Sequence, residues 1–220
     1  MSNDWYLMSN PTPLSGFEKS EFESYYSVFN EILEQSPEAY LVNVDGMLKH
    51  VIIQSRNKDD EFNLLSNTGD VKMGDLILYK DQYYLAVSYP FSNKIYEKTL
   101  IKYCNNILKV KVDEIREITG KTSLGEPIYN TTPIYYEQPC HFSNENGTTY
   151  NTTFYEQINV PLGRISILTP YRTNANLITE GMEFQMYDSQ YKISNVDKTR
   201  VKNNQGFLEL FVERIQLSNK

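Results

Sequence analysis

Residues 40–53 read YLVNVDGMLKHVII, two short runs rich in Val, Leu and Ile that are joined by Asp45-Gly46. Asp-Gly between two such runs is a strong signal for a two-residue turn in an antiparallel hairpin. The stretch therefore predicts a β-hairpin, and similar runs separated by turn residues continue from Tyr40 onward. The body of the chain is predicted to be antiparallel β.

Two further stretches predict hairpins of the same kind. Residues 75–88 read DLILYKDQYYLAVS, and residues 183–196 read EFQMYDSQYKISNV. They align without a gap, in a register that matches Tyr83 with Tyr191, and a glycine precedes each. The match predicts two small antiparallel β-barrel-like units, and duplication of one unit is one explanation of it. The alternative is that the shared pattern is common to antiparallel hairpins in general.

The clear helix signal lies ahead of these stretches. Residues 20–23 read SEFE, a capping box that predicts the start of a helix, and Pro37 marks its stop. Apolar residues at three- and four-residue spacing form one stripe, Phe22, Tyr25, Tyr26, Phe29, Ile32 and Leu33. We expect this stripe to pack against the rest of the chain and the acidic opposite face to be solvated.

These patterns divide the chain into four parts. Residues 1–40 form an N-terminal arm and amphipathic helix, 41–112 a first β unit, 113–132 a linker and 133–220 a second β unit. The linker is placed where the chain becomes rich in Thr, Asn, Gly and Pro. The predicted fold class is mainly β with one N-terminal helix.

Composition excludes several classes of protein. Lys and Arg number 21 against 28 Asp and Glu, a net charge of -7, so no basic surplus holds the chain on nucleic acid. Cys104 and Cys140 allow at most one disulfide. The sequence shows no secretory signal, and no stretch approaches the ~20 apolar residues of a membrane span. The 18 tyrosines suit half-buried strands and wet interfaces.

No motif for catalysis or metal binding stands out. Phosphate-cradling glycine loops, paired-cysteine zinc spacing and zincin helices are missing from the sequence. Cys140 and His141 are adjacent, and adjacent side chains on a strand point to opposite faces, which disfavours a Cys-His nucleophile pair. We expect no enzyme activity, no metal and no cofactor. One alternative is an aromatic platform for sugar made by Tyr135, Tyr136, Tyr150, Phe154 and Tyr155.

Three blocks of sequence resemble a group of small structural proteins encoded in tailed phages and prophages of low-GC Gram-positive bacteria. They are residues 5–18, which read WYLMSNPTPLSGFE, residues 74–105 and residues 181–212. Such proteins are similar to head-completion and head-to-tail connector components, which form rings below the portal and are built on small β-barrels. The resemblance implies a virion structural protein of the phage neck that forms a ring between portal and tail, completes the head and passes DNA. The alternatives are another virion role, as a capsid decoration or tail component, and then a glycan-binding module.

The same resemblance implies the partners and the location. We expect a homo-oligomeric ring that contacts a portal or adaptor protein and tail proteins, while packaged DNA passes through without sequence recognition. The protein would be made in the host bacterial cytoplasm, end in the virion and contact no membrane.

Ring contacts need edge strands and extended arms. The prolines at 11 and 13 hold the N-terminal residues in an extended path, and residues 133–148 read as an edge hairpin with an Asn-Gly turn. The candidate assembly interface is therefore Trp5, Tyr6, Leu7, Met8, Tyr135 and Tyr136. Two polar segments, residues 56–67 and 198–205, are further candidates for loops that face the ring lumen or a docking partner, with a solvated surface turn as the alternative.

Overall fold

A computed structural model describes residues 16–143 and 165–215 of the chain. These residues form one α-helix, a short 3-10 turn and fourteen strands in two sheets, one closed into a barrel and one nearly closed. The predicted class, mainly β with one N-terminal helix and two barrel-like units, is confirmed.

The first barrel follows the helix directly. Its strands are β1 (Ala39–Val44), β2 (Met47–Ser55), β3 (Glu61–Ser66), β4 (Leu76–Tyr79), β5 (Gln82–Ala86), β6 (Phe91–Ser92) and β7 (Glu97–Tyr103). The order is β3-β2-β1-β4-β5-β7, and β7 pairs with β3, so six antiparallel strands close on themselves. The predicted turn between β1 and β2 is confirmed, because Asp45 and Gly46 both have positive φ, 47° and 89°. Alternating apolar side chains fill the interior.

The second barrel contains the remaining strands. They are β8 (Asn106–Lys121), β9 (Pro127–Ser143), β10 (Ile165–Pro170), β11 (Glu183–Met186), β12 (Ser189–Asp197), β13 (Val201–Lys202) and β14 (Gln205–Arg214). The order is β11-β12-β14-β10-β9-β8, with β13 attached to β14. The barrel is nearly closed, since its two end strands, β8 and β11, approach each other without pairing.

The two barrels repeat one topology. When β6 and β13 are set aside, the six strands of each barrel have the spatial order third, second, first, fourth, fifth, sixth, and the sixth pairs with the third. They differ at the junction of the first and fourth strands, where β1 pairs with β4 but β8 does not pair with β11. A repeated topology is the structural signature that a duplicated unit predicts.

The glycines ahead of the matching hairpins fix the structural correspondence. The Gly74 amide donates to the Ala86 carbonyl at 2.8 Å, and the Gly181 amide donates to the Ile193 carbonyl at the same distance. Each glycine has positive φ, 90° and 86°. Gly74 therefore corresponds to Gly181, which shifts the correspondence by one residue from the gapless sequence alignment.

This shift changes which tyrosines are equivalent. Tyr191 is buried, as is Tyr84, whereas Tyr83 is 44% exposed. The turn of the first hairpin is at residues 80–81 and that of the second at 187–188, one residue earlier than the aligned position. The alignment of Tyr83 with Tyr191 was wrong, because a slip of one residue moves a side chain to the other face of the strand.

Residues 113–132, assigned above to a linker, belong instead to the outer half of the β8-β9 hairpin. The two strands pair from Asn106 with Cys140 to Lys121 with Pro127, with irregularities near residues 112 and 119. The first barrel ends at β7, so β8 belongs to the second barrel from its first residue. Thr, Ile and Tyr in this stretch suit strands, and this content outweighs its Gly, Asn and Pro.

The helix α1 (Gly16–Gln35) packs on the first barrel by its C-terminal half. Phe29 and Leu33 are buried against Ile52, and Phe29 stacks on Tyr96 with 5.1 Å between ring centroids. The helix already includes residues 16–19, so the capping box at 20–23 does not mark its start and that prediction was wrong. The end before Pro37 is confirmed.

The two barrels share a small apolar interface. Met73, Leu85 and Cys104 of the first barrel pack against Leu168 and Phe207 of the second. This cluster is separate from the two barrel cores, so it buries surface that each barrel alone would expose.

Polar contacts surround the apolar interface. Arg172 Nη2 donates to Asp45 Oδ2 at 2.5 Å and to the Gly74 carbonyl at 3.1 Å. Gln205 Nε2 donates to Asp75 Oδ1 at 3.3 Å, and burial raises the pKa of that carboxyl. The barrels are therefore joined by both apolar packing and hydrogen bonds that cross from one to the other.

Candidate functional site

The most prominent feature of the described surface is the outer half of the β8-β9 hairpin, residues 113–134, which we name the hairpin arm. Nearer the barrel the same strands bury Leu108, Val110 and Tyr136. Along the arm most side chains are exposed, and Leu124 at its tip is 88% exposed. The other large exposed apolar side chains of the arm are Ile115, Ile118, Ile128 and Tyr129.

The arm has unpaired edges as well as exposed apolar side chains. β8 and β9 pair with each other along the arm, and β9 pairs with β10 only through residues 141–143. Within the described residues, neither outer edge of the arm pairs with another strand. A strand edge of this kind offers backbone donors and acceptors to a partner chain.

Charged side chains near the base of the arm pair with one another. Lys111 Nζ lies 2.8 Å from Glu114 Oε2, and Arg116 Nη2 lies 2.5 Å from Glu114 Oε1. Their hydrogen bonds, first that from Lys111, lower the pKa of Glu114 to about 2. Lys109 and Glu137 form a further pair at 2.8 Å. These pairs are largely exposed and therefore add little stability.

Helix α1 carries a second exposed apolar surface. Side chains described between residues 19 and 28 are all exposed, which covers every side of that part of the helix. Tyr25, Val28 and Ile32 are 58%, 49% and 44% exposed. We name these three residues the helix stripe.

The predicted packing of the whole apolar helix face was wrong. The structure buries Phe29 and Leu33 and exposes Tyr25, Tyr26 and Ile32, while the side chain of Phe22 lies outside the described part. The reason is geometric: the barrel surface meets the last turns of the helix only, so an apolar pattern that continues beyond them has no surface of its own barrel to contact.

Two predicted interface tyrosines have opposite environments. Tyr135 is 45% exposed and lines a groove of about 580 Å³ along the open junction of β8 and β11, beside Ile107 and Tyr187. Tyr136 is 1% exposed, and its hydroxyl bonds to Thr169 Oγ1 at 3.0 Å and donates to the Pro170 carbonyl. Adjacent residues on a strand face opposite ways, so Tyr135 is available to a partner and Tyr136 is part of the core. Trp5, Tyr6, Leu7 and Met8 lie outside the described residues.

A further groove lies on the second barrel. It has a volume of about 680 Å³ and is lined by residues 194–199 and Phe211. Asp197 and Lys198 are among its lining residues, and Arg200 and Lys202 follow just after it in the sequence; the three cations are exposed. None of these three cations pairs with a carboxylate among the described residues, so we name this region the basic groove.

The cysteines and His141 are all buried. Cys104 and Cys140 are free and buried, and burial raises the pKa of Cys104 to about 12 and that of Cys140 further. His141 is buried, with Nδ1 at 2.8 Å from the Tyr103 carbonyl and Nε2 at 3.4 Å from Asp60 Oδ2. In the described residues no group of three or more His, Cys, Asp or Glu side chains is placed to hold a metal ion.

Comparison with known proteins gives matches over nearly the whole chain. Residues 9–103 match a family model described as the YomX N-terminal domain, and residues 94–213 match the YomX C-terminal domain. The chain is also similar to the SPbeta prophage-derived uncharacterized protein YomX of Bacillus subtilis (strain 168), at 29% identity over 183 residues, which is 80% of this chain and 83% of that protein. No solved structure matches the chain. Among the described helices, none is long and apolar enough to cross a membrane.

Proposed function

We propose that this chain, which belongs to the YomX family, is a structural protein of a phage particle and forms a ring in the neck, between portal and tail. The prophage origin printed for the Bacillus subtilis relative supports the phage assignment. The sequence blocks that resemble head-to-tail connector proteins support the neck, where the ring would complete the head and pass DNA.

The hairpin arm is the observation that favours an assembly function. A two-stranded ribbon with no third strand and no covering helix is at best marginally stable in water. The arm carries exposed apolar side chains such as Ile118 and Leu124, and neither of its edges pairs with another strand in the part of the chain that the structure describes. A neighbouring subunit that covered the ribbon would bury its apolar side chains and pair its strand edges, so we expect the arm to contact such a subunit.

The negative net charge of the chain supports the proposed passage of DNA. The net charge of -7 repels phosphate, so DNA would slide through a ring of such chains without being bound. In this proposal the protein contributes geometry: barrels form the ring wall, and the arms contact neighbours above or beside them. The neighbours are further copies of the chain, a portal or adaptor protein and tail proteins, and no catalytic step is involved.

Quantitative mass spectrometry of purified particles tests the proposal by counting copies against the major capsid protein. About six or twelve copies per particle are expected for one closed ring at the unique vertex. Hundreds of copies would assign the protein to the shell or the tail tube, and its absence from particles would refute a virion role.

A shortened arm tests the observation on which the proposal rests. The variant replaces residues 114–133 with Asn-Gly, which retains the part of the hairpin that belongs to the barrel. We expect normal folding by circular dichroism and loss of incorporation into particles. The matched control is Leu124→Ser with the full arm, which removes one exposed side chain and should be incorporated at a level near that of the wild type. Wild-type incorporation of the shortened protein would contradict the role given to the arm.

A further inference from the structure

We propose that the helix stripe of one copy docks in the basic groove of a second copy. The inference rests on the proposed ring function and deepens it, because it names which two surfaces of the chain meet. The contact would join the first barrel of one subunit to the second barrel of the next.

The helix supplies an apolar ridge with an acidic surround. Tyr25, Val28 and Ile32 are spaced three and four residues apart, so their side chains lie on one face, next to the face buried by Phe29 and Leu33. The helix contains five glutamates and one lysine, a net charge of -4. An amphipathic helix with this exposure is the form that fits a groove on a partner.

The groove supplies the complementary chemistry. Val196 and Phe211 contribute apolar lining, and both are partly exposed. Lys198 lines the groove next to Asp197 and donates to the Asn176 carbonyl at 3.5 Å, and Arg200 and Lys202 follow within four residues. Residues 194–202 contain three cations and one carboxylate, a net charge of +2, and none of these cations forms an ion pair within the described part of the chain. An acidic helix is therefore attracted to this groove, and its apolar stripe finds apolar side chains there.

The charge of the helix also decides which contact between two copies of the chain is favoured. Two α1 helices that met face to face would bring together two net charges of -4, which disfavours a symmetric pairing. Docking of the helix of one copy in the basic groove of another instead brings together opposite charges on two different surfaces. Such a contact is heterologous, so it repeats from copy to copy and closes into a ring when the rotation allows.

Cross-linking of engineered cysteines tests the contact directly. The native Cys104 and Cys140 are buried, so they give a low background with a bismaleimide. One protein carries Val28→Cys, and the other carries Thr199→Cys at the groove. We expect a cross-linked dimer when the two proteins are mixed and at most trace cross-linking in either protein alone, both in concentrated solution and in particles assembled from the mixture.

Charge reversal provides the second measurement. Lys198→Glu, Arg200→Glu and Lys202→Glu together are expected to weaken the cross-link at least about tenfold at low salt, and Glu21→Lys with Glu31→Lys in the helix partner is expected to restore it. The matched control reverses three exposed lysines of the first barrel, Lys72, Lys94 and Lys98, and should leave the yield unchanged.

Two outcomes would overturn the inference. One is the absence of any cross-link between helix and groove in solution and in particles. The other is equal loss of yield in the groove variant and the lysine control. The copy number per particle is measured independently, so a ring-like number together with no helix-groove cross-link would refute this contact and leave the proposed function standing.

Discussion

Replacement of Gly74 by alanine tests how tightly the two barrels are held together. Gly74 has a φ of 90°, and a Cβ added to it would lie 2.0 Å from the carbonyl oxygen and 2.3 Å from the carbonyl carbon of Gly206. Both atoms belong to backbone, so no side chain can rotate away. The backbones must separate by more than 1 Å to reach ordinary contact, which opens the interface beside Leu168 and Phe207.

Gly181 is the matched control for this substitution. It is the equivalent glycine of the second barrel, its φ is 86°, and a Cβ there would meet nothing within 4 Å. Gly181→Ala therefore costs the strain of positive φ alone, about 1–2 kcal/mol. Gly74→Ala adds the clash, which forces a backbone shift of the kind that typically costs a further 1–3 kcal/mol. We expect Gly74→Ala to lower the free energy of unfolding by about 2 kcal/mol more than Gly181→Ala.

Urea unfolding followed by circular dichroism, together with calorimetry, measures this difference. The change in unfolded-state entropy from glycine to alanine is common to both variants and cancels in the comparison. A second expectation is that Gly74→Ala separates the unfolding of the barrels into two transitions, because their shared apolar cluster is opened. Losses of stability that agree within about 0.5 kcal/mol for the two variants would refute the reasoning.

Three further predictions follow from buried groups. Cys104 and Cys140 should not react with a thiol reagent at pH 8 in the folded protein and should both react in urea, because burial raises the pKa of each thiol; rapid labelling of the folded protein would contradict this. Burial raises the pKa of Asp75 above its ordinary 3.8, so the stability it contributes is present below that pH and is lost as pH rises through the folded-state pKa. Asp75→Asn should therefore gain stability relative to the wild type between pH 4 and pH 7 in thermal melts, and a constant difference would refute this. Tyr136→Phe removes the buried hydroxyl that donates to the Pro170 carbonyl, so the free energy of unfolding measured in urea should fall by about 1–3 kcal/mol. Tyr135→Phe, at the exposed neighbouring position, should change that free energy by less than about 0.5 kcal/mol.

Local signals in the sequence predicted the strands and their turns well. The turn at Asp45-Gly46 is where the residues place it, because the positive φ of a two-residue hairpin is a property of those two positions. Alternating apolar residues identified the hairpins of both barrels for a similar reason, since alternation is set within a few residues. The end of the helix near Pro37 is equally local.

The hairpin arm shows where local signals were ambiguous. Residues 113–132 contain turn-forming and strand-forming residues together, and composition alone favoured a linker. The strands continue through this stretch because nearly every residue of β8 there pairs with a residue of β9, and the most distant of these pairs, Asp113 with Ile134, joins residues 21 positions apart. Ile115 and Tyr129 are of residue types that favour strands, so the sequence did contain a strand signal here. Without the partner strand, that signal does not fix which residues pair.

Which side chains are exposed on the candidate surfaces also depends on contacts between residues that are distant in sequence. The sequence of α1 predicted an apolar face, yet only the position of the first barrel decides that Phe29 is covered and Tyr25 is not. The sequence likewise proposed Tyr135 and Tyr136 as a pair, and strand pairing placed one in a groove and the other in the core.

The sequence by itself thus determined the fold class, the turn at Asp45-Gly46 and the end of the helix, and it offered the repeat of a β unit as one of two explanations for the matching hairpins. The tertiary structure alone decided the register of the repeat, the open junction between β8 and β11 and the surfaces left for partners. The physical reason is the range of the interactions. Turn conformation and alternation are set by neighbours in sequence, whereas burial and strand pairing depend on residues brought together only when the barrels close.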